Sequence, residues 1–293
     1  MIKVKHKNVL RASYKNFSKW GRLQVTGMPD WQDRRSIMNH GVGRKRDYSP
    51  VSWSEYFEMM DDVCVYVFRV YKSGQDGPLL VLLHGGGHSA LSWAVFTVSM
   101  TSRVTCRVLA MDLRGHGKVY HFFSRDVANV VRATYGEVPP PIVLVGHSMG
   151  GAIAVHAASG SLLPSVVGLV VIDVVEGSAM DVLHSMQNFL KGRPRSFKSI
   201  DHAIEWSLKA ERVRSCSRRK TGQRPSSVYS WKIDLSKAEK YWDGWFRGIS
   251  NLFLSCNVPK LLLLAGIDRL DRDLTIGQMQ GQSVCPAHPA GCL

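Results

Sequence analysis

Five residues in this chain have the types and spacing to break an acyl bond: Gly146-His147-Ser148-Met149-Gly150. A serine hydroxyl attacks a carbonyl carbon only when it is held exposed and given a base within hydrogen-bond reach. The residues before it, Ile142 to Val145, read as a buried strand, and those from Ser148 to Ser159 read as an Ala-rich helix. A glycine-framed serine between a strand and a helix sits on a sharp turn that lifts its Oγ above the strand ends. Side-chain-free flanks are needed there, because strand and helix must approach closely for the turn to close.

Covalent ester or acyl chemistry also needs donors for the developing oxyanion, an acid and a base. His84-Gly85-Gly86-Gly87 follows another apolar strand, and its backbone can approach a substrate oxygen closely. The amides of Gly86 and Met149 are therefore the expected pair of oxyanion donors. Two carboxylates compete for the acid: Asp173, ending the strand after the serine, and Asp268, following the strand Lys260 to Leu264. Asp173 lies between Ile172 and Val174, where an unpaired carboxylate is costly to bury, which suggests a dedicated partner such as an imidazole N–H. Asp268 has Arg269 and Asp271 as a local charge network instead. For the base, the chain downstream of Asp268 offers only His288, between Pro286 and Pro289. His147 adjoins the serine and His84, His88 and His116 lie in glycine-rich turns, positions that do not favour any of them as base.

The elements that must position these groups are short apolar runs alternating with helical patterns from about Val67 onward, the signature of a parallel sheet covered on both faces. Strands are expected at Phe68 to Tyr71, Leu79 to Leu83, Cys106 to Met111, Ile142 to Val145, Val167 to Ile172 and Lys260 to Leu264, with a helix over Asp126 to Tyr135 that places Val127, Val130, Val131 and Thr134 on one face. Between Asp173 and Lys260 the strand signal disappears. The helical patterns Ala203 to Val213 and Ala238 to Leu254 take its place, and the stretch 178–256 reads as a lid insertion. The whole is the pattern of an α/β-hydrolase fold.

Charge adds little to the function. The formal net charge is +15, from 38 Lys and Arg against 23 Asp and Glu, but much of it lies in residues 1–43, read as a disordered basic segment, and in the cluster Arg212 to Arg224. Neither stretch interleaves aromatics as nucleic-acid binders do, so no nucleic-acid or membrane partner is expected. Six scattered cysteines without a C-x-x-C pair, and a start lacking an apolar signal core, point to a reducing compartment. The acid-free start has only a faint likeness to a mitochondrial presequence. No apolar run is long enough to span a bilayer.

Long stretches carry a more specific signal: Gly43 to Pro50, Leu82 to Phe96, Ile172 to Gly177, Glu239 to Gly248 and Asp273 to Gly281. These resemble the protein phosphatase methylesterases, serine hydrolases that remove the methyl ester from the C-terminal leucine of the phosphatase 2A catalytic subunit. The resemblance covers 44–281, the expected hydrolase domain. It implies Ser148 as nucleophile and Asp173, rather than Asp268, as acid, with no metal or cofactor and a cytoplasmic or nuclear setting. It also implies that the region between Asp173 and Lys260 helps to take the phosphatase tail. Residues 1–43 do not resemble the family, and the loop after Arg114-Gly115-His116-Gly117 is shorter than its counterpart. Gln282 to Leu293 resemble neither the family's last strand and helix nor its histidine loop. The chain thus reads as a C-terminally truncated or alternatively spliced form with weak or absent turnover. Two alternatives stand beside an active methylesterase, namely an inactive phosphatase-binding protein and a generic serine esterase.

Overall fold

The computed structural model describes residues 49–63, 67–114, 120–209, 229–231, 235, 239, 241–264 and 271–280. The predictions for 1–43, for the basic cluster 212–224, for Asp268 and His116, and for the tail with His288 lie outside them.

Alternating side chains build two cores. In β3 (Leu79–Leu83), Leu79, Val81 and Leu83 enter one cluster while Leu80 and Leu82 enter the other, the period of two that a pleated strand imposes. Likewise, in β4 (Arg107–Met111), Leu109 and Met111 face the first cluster and Val108 and Ala110 the second. All five residues of β3 are buried, because both faces are covered. The sheet runs β1-β2-β4-β3-β5-β6-β9, where β1 is Met59–Val63, β2 Phe68–Ser73, β5 Ile142–His147, β6 Val166–Ile172 and β9 Lys260–Leu263. The β1–β2 and β2–β4 pairs are antiparallel and the remainder parallel.

Beside β3 the chain order reverses, β4 lying on one side and β5 on the other. That is the switch point at which loops leaving the C-terminal strand ends diverge and open a crevice. The loops after β3 and β5, which carry His84 to Gly87 and Ser148, meet there.

Helix α1 (Ala94–Thr101) follows β3, α2 (Tyr120–Tyr135) follows β4, and α3 (Met149–Ser159) follows β5. α2 buries Phe123, Val127, Val130 and Val131. It begins earlier than Asp126, the residue where its sequence pattern starts. The predicted N-terminal acid is inside the helix, 5% exposed, and takes two bonds from Arg114, at 2.6 Å (Nε) and 2.7 Å (Nη2). Desolvation outweighs that partner and pushes the Asp126 carboxyl above its usual range. Thr134 turns its hydroxyl back onto the Val130 carbonyl at 2.7 Å. α3 is apolar all round, with Ala152, Ile153, Ala154, Val155 and Ala157 all buried, as a helix enclosed on every side must be.

The region between β6 and β9 divides differently from the expectation. α4 (Glu176–Lys191), the short strands β7 (Ser196–Phe197) and β8 (Tyr229–Ser230), and α5 (Ile200–Lys209) lie outside the sheet. An aromatic cluster holds this part together: the Trp231 ring lies 5.2 Å from Phe197 and 5.7 Å from Trp206, with the Arg193 guanidinium 3.7 Å above it. α4 lays Met180, Leu183 and Leu190 against the main core, and α6 (Trp242–Phe246) and α7 (Ile249–Ser255) belong to it, with Trp242, Trp245, Phe246, Ile249 and Phe253 buried. These two helices pack as core, although the stretch expected as a lid includes them. The single helix expected over Ala238 to Leu254 breaks at Gly248, whose φ of 77° lies in the left-handed region. The two-residue β7–β8 pair also corrects the absence of strands expected here. α8 (Arg272–Met279) follows β9.

Candidate active site

Ser148 stands between β5 and α3 with φ 51° and ψ −122°, a conformation that costs an L-residue energy and persists only where its surroundings enforce it. Those surroundings are the motif's glycines. A Cβ on Gly146 would lie 2.2 Å from the Gly150 carbonyl oxygen and 2.6 Å from the Gly151 Cα. A Cβ on Gly150 would lie 2.2 Å from the Leu83 oxygen and 2.7 Å from the His84 oxygen. The Ser148 amide donates to the Ile172 carbonyl at 2.9 Å, tying the turn to β6. Its side chain is partly exposed and makes no capping bond to α3, which leaves the hydroxyl at the mouth of the crevice.

The expected oxyanion donors flank this serine, one next to it in the chain and one in the turn after the neighbouring strand β3. Met149 is the first residue of α3, where an amide has no partner within the helix and the helix dipole favours negative charge. On the other side, Gly85 to His88 form a tight turn closed by the His88 amide on the Gly85 carbonyl at 3.1 Å, with Gly87 at φ 73° in its third position. That is the position at which a type II turn demands a left-handed residue. Gly86 is partly exposed at the turn's crest, and a Cβ built there meets nothing within 4 Å.

His84 holds this turn rather than acting on substrate. It is 1% exposed; its Nε2 accepts from the Leu113 amide at 2.9 Å and its Nδ1 donates to the Gly85 carbonyl at 2.9 Å. An acceptor Nε2 facing an amide and a donor Nδ1 facing a carbonyl define one neutral tautomer. Farther along, the Ala90 amide donates to Asp112 Oδ1 at 2.8 Å, so the loop after β3 is anchored to the end of β4 at both ends. His84→Leu keeps the volume but leaves a buried amide and carbonyl without these bonds, and is expected to cost about 2 kcal/mol. A thermal melt measures it, with labelling of Ser148 by a fluorophosphonate reporting the slackened loop.

Asp173 follows β6 as Ser148 follows β5. The register pairs His147 with Ile172, so the next residue on each strand, serine and acid, stand side by side at neighbouring strand ends. Asp173 also has a positive φ, 52°, and its amide donates to the Leu263 carbonyl at 2.7 Å. The burial expected from its apolar flanks is only partial.

The residue set aside in the sequence, His147, is part of this group. Its Nδ1 lies 2.9 Å from where a Gly85 Cβ would stand, and its ring meets His88 edge-on at 5.9 Å. Desolvation lowers its pKa below the ordinary value, while the negative charge of Asp173 pulls the other way. Only its place as the last residue of β5, at the crevice end, marked it in the sequence. A histidine held neutral in the fold binds fewer protons than the unfolded chain below about pH 6.5. Its contribution to stability is thus complete above that pH and is lost as pH falls towards the lowered folded value. Thermal melts between pH 5 and 8 are expected to show a shallower acid-side decline for His147→Gln than for the wild type.

Comparison with known proteins matches residues 80–291 to the alpha/beta hydrolase family. Protein phosphatase methylesterase 1 of Bos taurus is 53% identical over 84% of this chain and 81% of its own length. The probable protein phosphatase methylesterase 1 of Caenorhabditis elegans is 46% identical over 82% of this chain and 71% of its own. The chain belongs to the protein phosphatase methylesterase family. Among solved structures, a marine microorganism esterase superposes with a TM-score of 0.53 over 73% of this chain and 85% of its own, at 22% identity. A thioesterase domain from the curacin biosynthetic pathway does so at 0.51 over 77% and 91%, at 20% identity. These two show the shared fold.

As a member of that family the chain is a serine-hydrolase-type esterase of α/β-hydrolase fold. Ser148 and Met149 follow β5, Gly86 lies in the turn after the neighbouring β3 and Asp173 follows the neighbouring β6, with His147 against the Gly85 turn and within the field of Asp173. The rival acid Asp268 and the downstream His288 lie outside the described residues, although the matched span 80–291 includes both. Among the described residues no cluster of His, Cys, Asp and Glu is arranged to hold a metal ion, and no helix is long and apolar enough to cross a membrane.

Proposed function

We propose that this chain hydrolyses the methyl ester on the C-terminal leucine of the phosphatase 2A catalytic subunit. Family membership supports the ester and the phosphatase, and the place of Ser148 and Asp173, each one residue beyond the His147–Ile172 pair of the β5–β6 register, supports the mechanism. Ser148 Oγ attacks the ester carbonyl and gives its proton to a histidine base. The tetrahedral oxyanion is held by the Gly86 and Met149 amides, donors already fixed before substrate arrives. Collapse expels methanol, which takes the proton from the base, and water then releases the free carboxylate from the acyl-serine by the same steps in reverse. Asp173 orients the base and stabilises it as imidazolium without itself taking a proton. The family order of serine, acid and histidine makes His288 the residue to test as that base.

A cytoplasmic or nuclear setting goes with that substrate, and fractionation of cells expressing the tagged chain tests it. Methanol release from a methyl-esterified phosphatase tail peptide, compared with a short acyl ester, tests the substrate. Release that Ser148→Ala abolishes, and that favours the tail peptide, is the expected result. Equal rates for wild type and Ser148→Ala overturn the proposal, and preference for the short ester replaces the substrate with a generic one.

A further inference from the structure

The acid turn between β6 and α4 is held from outside by two side chains that the mechanism does not use. Asp173 begins the turn at φ 52°, and three residues later Glu176 opens α4. The first amides of a helix lack partners within it. The Glu176 amide finds one 74 positions along the chain, donating to the Ser250 Oγ at 3.2 Å. Ser250, 2% exposed in α7, donates its own hydroxyl hydrogen bond to Asp271 Oδ2 at short range. The other oxygen of Asp271, Oδ1, accepts from the Leu274 amide at 2.9 Å and so caps α8. One carboxylate thus serves two helix N-termini, directly at α8 and through Ser250 at α4, where negative charge is favoured. The first turn of α4 lies against it, since a Cβ on Gly177 would stand 3.3 Å from the Asp271 Cβ.

We propose that Ser250 and Asp271 are positioning residues that clamp the first turn of α4 and thereby hold Asp173 in its left-handed conformation beside Ser148. This rests on the reading of Asp173 as the acid. The acid turn is tied down at its start by the Asp173 amide on the Leu263 carbonyl and at its end by the Glu176 amide on Ser250, with Val174 and Val175 packed into the core between them. A non-glycine residue at positive φ relaxes when its surroundings stop enforcing the conformation. Loss of the tie at Glu176 therefore loosens the turn that presents the carboxylate.

Ser250→Ala removes the link and Ser250→Thr keeps it. The added methyl has room, because Ser250 lines a small apolar void with Val174, Val175, Phe253 and Leu274. Amide hydrogen exchange reads the turn without any need for turnover. In Ser250→Ala the Asp173 amide is expected to exchange about tenfold faster, with Tyr71 in β2 unchanged and the threonine variant restored. Exchange at Asp173 at the wild-type rate, or acceleration by the same factor at Tyr71, overturns the clamp. If Ser250→Ala does not fold, Asp271→Asn, which retains one acceptor oxygen, takes its place with the same criteria. The second readout is the rate at which a fluorophosphonate labels Ser148. Ser250→Ala is expected to slow labelling about tenfold alone and not at all in an Asp173→Asn background, as coupled residues do. An equal slowing in both backgrounds overturns positioning through Asp173. Unaltered labelling in Asp173→Asn itself overturns the reading of Asp173 as the acid, while exchange at Asp173 still decides whether the clamp exists.

Discussion

Ser148→Ala is expected to abolish labelling by a fluorophosphonate and, where a histidine base completes the triad, to lower ester turnover by about 10⁶-fold, the scale seen when subtilisin loses its nucleophile; without that base the wild type is itself slow and labelling carries the test. The fold should survive, with a thermal midpoint within about 2 °C of the wild type, since the hydroxyl is partly exposed and caps no helix. Glycine at the same position separates strain from chemistry. At φ 51° and ψ −122° alanine is as strained as serine, whereas glycine adopts such a conformation freely. Ser148→Gly is therefore expected to be inactive yet more stable than Ser148→Ala by about 1 kcal/mol. Equal stability of the two variants would mean that the elbow stores no strain. Residual serine-independent turnover in both would remove Ser148 from the reaction.

Gly150→Ala attacks the same site through packing. Its Cβ would come to 2.2 Å from the Leu83 oxygen and 2.7 Å from the His84 oxygen, both backbone atoms that no side-chain rotation can move aside. The start of α3 must withdraw from the end of β3, moving the Met149 amide away from the Gly86 turn. Overpacking of this kind costs about 3 kcal/mol, and an ångström of misplacement costs about 10²-fold in rate. The control is Gly136→Ala, where a Cβ meets nothing within 4 Å but φ is 78°, so only backbone strain of about 1 kcal/mol is expected. Calorimetric melts and labelling rates of both variants check the comparison. A Gly150→Ala protein as stable and as readily labelled as Gly136→Ala would show that the close approach of α3 to β3 does not hold the site.

The parallel strands were legible because strands covered on both faces read as continuous apolar runs, and Leu79–Leu83 has the bounds its residues suggest. β1 was not, because it is an edge strand: Asp61 and Asp62 face solvent and pair with Lys72 and Arg69 of β2, which hides the apolar alternation. The break at Gly248 inside the expected helix Ala238 to Leu254 was missed because an isolated glycine is tolerated in many helices. That α6 and α7 pack in the core was hidden for another reason. Whether Trp242 and Phe253 cover a substrate or fill the core depends on what they pack against, and their own spacing is the same in either case.

What the amino-acid order alone determined is local: a strand, a glycine-framed serine and an Ala-rich helix must form the elbow, because each residue's steric demands are met by its immediate neighbours. The glycine turn after β3 is local for the same reason. The placing of Asp173 at the strand end next to the one that carries Ser148 needed the register of β5 against β6. The approach of His147 to Gly85 and Asp173 needed the ordering of strands around the switch point, and the clamp of Ser250 and Asp271 on α4 needed α7 and α8 folded back against the sheet. Those contacts join residues far apart in the chain. No periodicity records them, because the free energy that brings them together comes from burying the two cores as a whole rather than from any one segment.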